Sequence, residues 1–482
     1  MNLFTPAFKI GAFVMLLWGT AMLLPAVASL SEWSECRDYL LSAGCCYLFA
    51  VVLFRLGQSP ILHLQPRALF MITAFNWLLL CVTGTLPYYF SEIGLSFSDS
   101  LFESISGVTT TGSSIFNDVE SLPRGILLWR STSQWIGGIG IILVAVAILP
   151  SLKIGGMKLF RSEFSEWSQL DGGSISKIAI HIVFVYMMIS MSCMLAYRFF
   201  GMNWFDAVNH MMATVSTGGF STYNNSFGHF NDSHLQIVSS IFMMLGACPF
   251  LLVVLSFENR NLMLMKDRQV QLLFKLAVFT TLLIAIWRYL QPHETKFLTL
   301  LESSAFNTIS VITTTGFASE DYGQWGSFAV LILGFMMFSG GCSGSTSGGV
   351  KLFRYQLLAI FMEEHIMRAL HPGITWPRTY NERPIRDDVL VASLAFLFFV
   401  IISWSFSTCL LAANGLDPLT SITGSLSALM NVGPGFGELI GPVGNYSQLP
   451  VFSKYVLSFD MLLGRLEYLA LIIIFTRDYW KW

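Results

Sequence analysis

A chain of 482 residues that is 54% hydrophobic and only 12% charged stands far from the roughly 25% charged residues of soluble domains, so it reads as a polytopic membrane protein. The formal net charge of −2 excludes a bulk basic footprint for nucleic acid. The cysteines form no CxxC or other metal-ligand spacing and lie mostly in apolar runs, which excludes a zinc centre and a disulfide framework.

A helix needs roughly 20 apolar residues to cross a bilayer. Ile10–Leu30 meets that length and is expected to be retained, because it is too long for a leader and lacks a cleavage site. Tyr39–Leu53 is a shorter second span. One grammar then recurs: an outer spanning helix, a short half-polar segment, a glycine stretch and an inner spanning helix. The first copy runs through Ala68–Phe90, Asp99–Val108, Val108-Thr109-Thr110-Thr111-Gly112 and Trp129–Leu149. The second runs through Ile178–Phe200, Trp204–Thr214, Val215-Ser216-Thr217-Gly218-Gly219 and Leu235–Phe257. The third runs through Leu272–Leu290, Leu298–Ile312, Ile312-Thr313-Thr314-Thr315-Gly316 and Ser327–Phe338. The fourth and most divergent runs through Val389–Ala413, Pro418–Leu429, Leu429-Met430-Asn431-Val432-Gly433 and Val451–Thr476. The expected division is a helix pair over 1–63 and repeats over 64–170, 171–268, 269–380 and 381–482. A period of about a hundred residues is far longer than a solenoid repeat of about 20–50.

Lysine and arginine concentrate in the loops after the first three inner helices, among them Lys153, Lys158, Arg161, Arg260, Lys266, Arg268, Lys351, Arg354 and Arg368. The positive-inside rule makes that side cytoplasmic, carries both termini with it, and turns the glycine stretches outward.

Irregular backbone at membrane depth is tolerated only where protein buries it or it lines a wet cavity. Four such stretches at matching positions predict a pseudo-fourfold arrangement about one axis. Glycine lets carbonyls turn inward, and a ring of carbonyls can replace the hydration shell of a monovalent cation. The hydroxyls beside the first three glycines can add ligands or brace the loop. No carboxylate lies in the stretches, which argues against a divalent site. Asp99, Asp206, Glu302 and Asp417 stand at or near the starts of the short segments, where the helix dipole stabilises an acid by about 0.3–1 kcal/mol. The opposite, carbonyl-rich helix ends then point at the glycines. The plainer alternatives are N-capping for the acids and small-residue helix packing for the glycines. Gly137-Gly-Ile-Gly140 has no preceding strand and reads as such packing, and His210 as a packed or hydrogen-bonded histidine.

This grammar, with Thr-Thr-Thr-Gly in copies one and three and Asn431-Val-Gly-Pro-Gly-Phe-Gly437 in copy four, resembles the Trk/Ktr/HKT superfamily of potassium transporters, and within it the bacterial Trk branch. The resemblance runs from about Phe8 to Trp482. It implies an all-α membrane protein with two N-terminal helices and four repeats around one pore, both termini cytoplasmic, in the bacterial inner membrane. It implies K+ as the transported ion and no organic cofactor or catalysis. The K+ filter residues it implies are Thr110, Thr111, Gly112, Thr217, Gly218, Gly219, Thr314, Thr315, Gly316, Asn431, Val432 and Gly433. Copy four departs most, with Met430 and Asn431 in place of hydroxyl residues, so its ligand geometry is the one least fixed by the resemblance. Implied partners are the bilayer, a second copy in a homodimer, and a TrkA-like cytosolic ring of nucleotide- and NAD-binding domains.

Two further features stand out. Ser339–Gly349 is rich in glycine and serine where the third inner helix should continue. Each glycine costs about 1 kcal/mol in a helix interior, so the helix should break there. The resemblance makes this break an intramembrane gate formed by Gly340, Gly341, Ser343, Gly344, Ser345, Thr346, Ser347, Gly348 and Gly349, and the alternative is a flexible linker. Lys351 and Leu352 are misplaced for a phosphate-binding loop. Arg465 is expected midway along the last inner helix, where charge costs about 2.5–3.5 kcal/mol on insertion scales. It should face the gate, or pair with Glu467, Asp460 or a loop carbonyl. The rival functions are a potassium transporter coupled to H+ or Na+, with Asp460 and Arg465 as the local relay candidates, an intramembrane enzyme, and a scaffold. The last two lack, respectively, a nucleophile–base pair and a use for the matched glycines.

Overall fold

The structure, a computed structural model, describes residues 4–58, 66–147, 175–258, 261, 263–291, 296–381 and 383–481. Lys153, Lys158, Arg161 and Arg260 of the expected basic loops, and Trp482, lie outside them. Helices dominate. The one sheet among the described residues pairs Thr379–Tyr380 with Arg383–Pro384.

Among the described residues, six helices are long and apolar enough to cross a membrane: Phe4–Ala28, Trp33–Leu56, Arg67–Phe90, Lys177–Phe199, Arg268–Tyr289 and Asp387–Ala413. They are the two N-terminal helices and the outer helix of every copy. Phe13, Leu48, Phe184, Val278 and Phe398 stand exposed on them, a surface that water expels and lipid accepts. The protein is therefore a multi-pass, all-helical membrane protein. The first helix starts earlier than Ile10, and the second is longer than Tyr39–Leu53 at both ends.

The inner helices are less regular, for reasons the apolar runs concealed. The first is continuous over Arg124–Ala147. The second was expected straight over Leu235–Phe257, but Ser233–Gly246 and Phe250–Glu258 meet at 97°. Pro249 has no N–H for an unbroken ladder and a fixed φ. The third stops at Met337 and resumes as Leu352–Leu370. The fourth was expected unbroken over Val451–Thr476, but Val451–Arg465 and Leu469–Phe475 are separated by Glu467 and Tyr468 at positive φ. Arg465 therefore ends a half-helix and does not sit midway along a whole one.

The short helices are Phe97–Val108, Trp204–Val215, Phe297–Ile312 and Pro418–Met430. In three of them an N-cap side chain accepts a backbone N–H: Ser96 from Asp99, Asn203 from Asp206 and Asp417 from Thr420. Such caps stabilise by about 1 kcal/mol. The third corrects the expected pattern. It starts at Phe297 behind Lys296, with no acid in its first turn. Glu302 lies a turn further in and accepts from Ser233 Oγ at 2.8 Å.

Inner-helix glycines seat the ends of three of these short helices. A Cβ on Gly137 would lie 2.0 Å from the Val108 carbonyl oxygen, on Gly246 3.0 Å from that of Val215, and on Gly464 1.9 Å from that of Leu429. The apolar core divides accordingly. One cluster joins the N-terminal helices to copies one and four and to the third inner helix, and a second joins copies two and three with Ile142 of copy one.

Candidate functional site: a four-copy carbonyl ring

Each short helix ends the same way. The N–H groups of Thr111, Gly218, Thr315 and Val432 donate to the carbonyls of Ser106, Ala213, Ser310 and Ser427, at 2.8–3.0 Å. The N–H groups of the preceding residues donate three positions back. This is the paired hydrogen bonding of a Schellman cap, which needs a left-handed residue. Thr110, Thr217, Thr314 and Asn431 occupy that place, with φ of 53°, 51°, 56° and 54°. Two residues on, Gly112, Gly219, Gly316 and Gly433 also have positive φ, between 79° and 104°. Copy four thus follows the backbone of the others despite its different side chains, because asparagine tolerates the left-handed region well.

The four stretches close on one another. A Cβ on Gly112 would lie 2.2 Å from the Gly218 carbonyl oxygen, on Gly219 2.0 Å from that of Thr315, on Gly316 2.1 Å from that of Val432, and on Gly433 2.6 Å from that of Thr111. Each glycine therefore makes room for a carbonyl of the next copy, and the fourth returns to the first. The ring opens upward into a cavity of about 100 Å³ lined by these four glycines, Asn117 and Tyr446. A larger apolar groove of about 630 Å³, beside Ile241, Phe274 and Ile309, faces sideways and touches none of the glycines. It plays no part in the ring.

Most of the hydroxyls brace. Thr109 meets Thr111 at 2.7 Å and Thr313 meets Thr315 at 2.8 Å, oxygen to oxygen. Thr110 Oγ1 and Asn431 Oδ1 are buried without a partner among the described residues, which leaves them free to take water or an ion.

Of the side chains that fasten the segment beyond each glycine, sequence reasoning read only His210 as packed or hydrogen-bonded and missed the others. Glu103 accepts from the Ile115 N–H at 2.9 Å, His210 meets Ser221 at 2.9 Å, and Asn307 accepts from the Ser319 N–H at 3.1 Å. In copy four, Thr423 accepts from the Phe436 N–H at 2.9 Å. All stand nine or ten residues before their glycine, an alignment that the repeat itself offered as a signal. Glu103 is also paired with Arg130 at 2.7 Å, both side chains almost wholly buried. Arg130 donates on to the Ser221 carbonyl at 3.0 Å and lies over the Phe220 ring, so one ion pair ties copy one to copy two. Lys454 reaches Asp99 at 2.6 Å and ties copy four to copy one. Gln134 also went unnoticed. Its amide donates to the Gly218 carbonyl and accepts from the Phe220 N–H. A Cβ on Gly218 would lie 2.4 Å from that amide carbon, so glycine in place of threonine there admits Gln134. Outside the membrane, the Asn224 amide beside Asp118 holds that carboxyl below the usual range.

The glycine–serine loop lies directly against the ring. Thr346 Oγ1 donates to the carbonyls of Val215 and Gly246, at 3.1 and 2.9 Å. Ser347 Oγ donates to the Thr313 carbonyl, and the Gly349 N–H donates to that of Met430 at 2.9 Å. Thr217 and Thr314, both left-handed residues of the ring, meet Thr346 and Ser347 at 3.2 and 3.0 Å. The loop thus caps helix-end carbonyls of copies two, three and four. On its other side it holds the bend of the second inner helix: the N–H groups of Cys342 and Thr346 donate to the Ala247 and Gly246 carbonyls, and the Phe250 N–H donates to Gly344. Arg465 donates to the Thr346 carbonyl at 2.7 Å, with Nε and Nη2 unpartnered. Glu467 pairs with Arg354 and Asp460 accepts from Ser407, so of the expected partners it is the loop carbonyl that Arg465 takes.

Chemically, such a ring offers stacked, uncharged oxygens to an ion that must shed water, and a plug of hydroxyl and N–H donors below. The family model of the cation transport protein TrkH matches residues 45–481. The Trk system potassium uptake protein TrkI of Halomonas elongata is 39% identical over 87% of this chain and 85% of its own length. The Trk system potassium uptake protein TrkH of Escherichia coli K12 is 31% identical over 98% of each. The crystal structure of the potassium transporter TrkH from Vibrio parahaemolyticus matches with a TM-score of 0.91 and 28% identity over the whole of both chains.

Proposed function

This chain belongs to the TrkH family of cation transport proteins, and from that membership we propose that it takes up potassium across the bacterial inner membrane through the carbonyl ring. The supporting observation is that the four glycine stretches share one backbone and close into one ring of oxygens. Uncharged carbonyls suit a large monovalent ion with a modest dehydration cost. The filter consists of Thr110–Gly112, Thr217–Gly219, Thr314–Gly316 and Asn431–Gly433. The work is transport, and no residue is assigned a chemical step.

The loop Gly340–Gly349 is the gate. Its donors occupy helix-end carbonyls that would otherwise face ions or water, and each such bond contributes about 0.5–1.5 kcal/mol net. Opening requires exchanging these bonds for water. Arg465 holds the loop by the Thr346 carbonyl and adds a positive charge to the ion path below the filter. Both termini face the cytoplasm. The protein acts as a homodimer with a cytosolic ring of nucleotide-binding domains, and Leu352–Leu370, which continues directly from the gate, is the element through which such a ring would pull.

One observation favours coupling to protons. Asp460 is buried with Oδ2 unpartnered, and intramembrane carboxylates serve as relays in pumps. No second carboxylate is bonded to it among the described residues, so the uncoupled reading stands first. The test is growth and rubidium uptake in a bacterium stripped of its own potassium uptake systems. Expression of this chain, with its cytosolic partner genes, should restore growth at low K+. Failure by a correctly inserted protein would refute potassium uptake.

A further inference from the structure

The ring is not fourfold in its electrostatics. One layer consists of the carbonyls of Thr111, Gly218, Thr315 and Val432, and the next of those of the four glycines. In the first layer the Gly218 oxygen alone accepts a hydrogen bond, from Gln134. In the second the Gly433 oxygen alone does, from Ser113 Oγ at 2.9 Å and Tyr446 Oη at 2.8 Å. No other carbonyl of these two layers has a donor among the described residues. The two engaged oxygens belong to copies two and four, which face each other across the ring. Gln134, Ser113 and Tyr446 are all buried, and Ser113 and Tyr446 also line the cavity above the ring.

We propose that Gln134, Ser113 and Tyr446 are specificity-determining residues, each weakening one carbonyl so that every layer presents three oxygens of full strength and one of reduced strength. The proposal rests on the filter reading above. A carbonyl oxygen that already accepts a hydrogen bond presents less negative potential to an ion. Small cations gain most from strong-field oxygens and lose most on dehydration, so a weakened oxygen tilts the site towards the larger ions. The placement is economical: Ser113 follows Gly112 of the neighbouring copy, whereas copies two and three have phenylalanine and copy four proline at that step. Tyr446 has its ring against Phe102 and its backbone N–H on the Ser114 carbonyl, which fixes the hydroxyl independently of the bond it makes.

Tyr446→Phe removes one donor and keeps the ring packing. Purified full-length protein in liposomes should show K+ uptake retained, K+/Na+ discrimination reduced by about three- to tenfold, as a net hydrogen bond predicts, and Li+ rising with Na+ while Rb+ stays level with K+. Ser113→Ala should tilt the series the same way, Ser113→Thr should keep the wild-type series, and Gln134→Met should reproduce the tilt from the other layer. The proposal is overturned if the wild type discriminates and these variants match it, or if every ratio collapses towards one, since a merely loosened filter gives the latter. A wild type that does not prefer K+ to Na+ would overturn the filter reading itself, and this proposal with it.

Discussion

Thr110, Thr217 and Thr314 hold left-handed backbone, which for a β-branched residue costs on the order of 1–3 kcal/mol. That strain persists because the Schellman bonds fix each helix end, with inner-helix glycines packed against those of copies one and two. A Cβ on Gly316 would press on the Val432 carbonyl oxygen at 2.1 Å, on backbone already at φ 83°. Gly316→Ser is therefore expected to displace a ring oxygen of copy four and to lower K+/Na+ discrimination, measured as a flux ratio, and an unaltered ratio would remove that loop from the filter. The Glu103–Arg130 pair makes a stability prediction. Arg130→Met leaves a buried carboxylate unpaired, which should cost about 3–5 kcal/mol in urea unfolding of the detergent-solubilised protein. The double variant with Glu103→Met should recover much of that loss, and equal losses in both would rule out the pair as the cause. The glycines were legible in the sequence because they repeat. The left-handed threonines were not, since threonine seldom adopts that conformation, and neither was the ion pair, whose members lie on different helices.

At the scale of elements, the outer and short helices followed from hydropathy and the inner ones only partly. Five glycines among serines announced the break after Met337. Pro249 marked the 97° bend, but a long apolar run around it read as one span. The break at Glu467–Tyr468 has no glycine or proline inside it and gave no signal. These breaks share a cause. At these breaks the inner helices lie against the carbonyl ring and the glycine–serine loop, where unpaired backbone groups find partners that lipid would not offer. The loop is held by its own side-chain and backbone donors to carbonyls spread over three copies, so Ser347→Ala should loosen it by about one net hydrogen bond and raise basal flux by roughly two- to tenfold. Trimming Ser339–Gly349 should raise it further. Unchanged or lower flux through a folded, inserted variant would count against the gate.

Across the whole molecule, one chain builds a closed ring from four unequal copies. Covalent linkage frees each copy to differ: glycine at 218 admits Gln134, serine at 113 reaches Gly433, and asparagine at 431 bonds Thr111 and the Met461 carbonyl. A homotetramer cannot hold such asymmetry. The architecture was legible because its grammar repeats four times. The cross-copy bonds were not, because they join residues far apart in the chain, 355 positions for Lys454 and Asp99. The central claim is passive, selective conduction through this ring. It is tested most directly by loading the purified protein into liposomes and following K+, Rb+, Na+ and Li+ uptake under an imposed potential, with and without pH and Na+ gradients, with the loop-trimmed variant alongside to open a closed gate. The account predicts uptake that favours K+ and Rb+ and ignores both gradients. Uptake that stops when one gradient is removed would contradict it and turn attention to Asp460 as a coupling site.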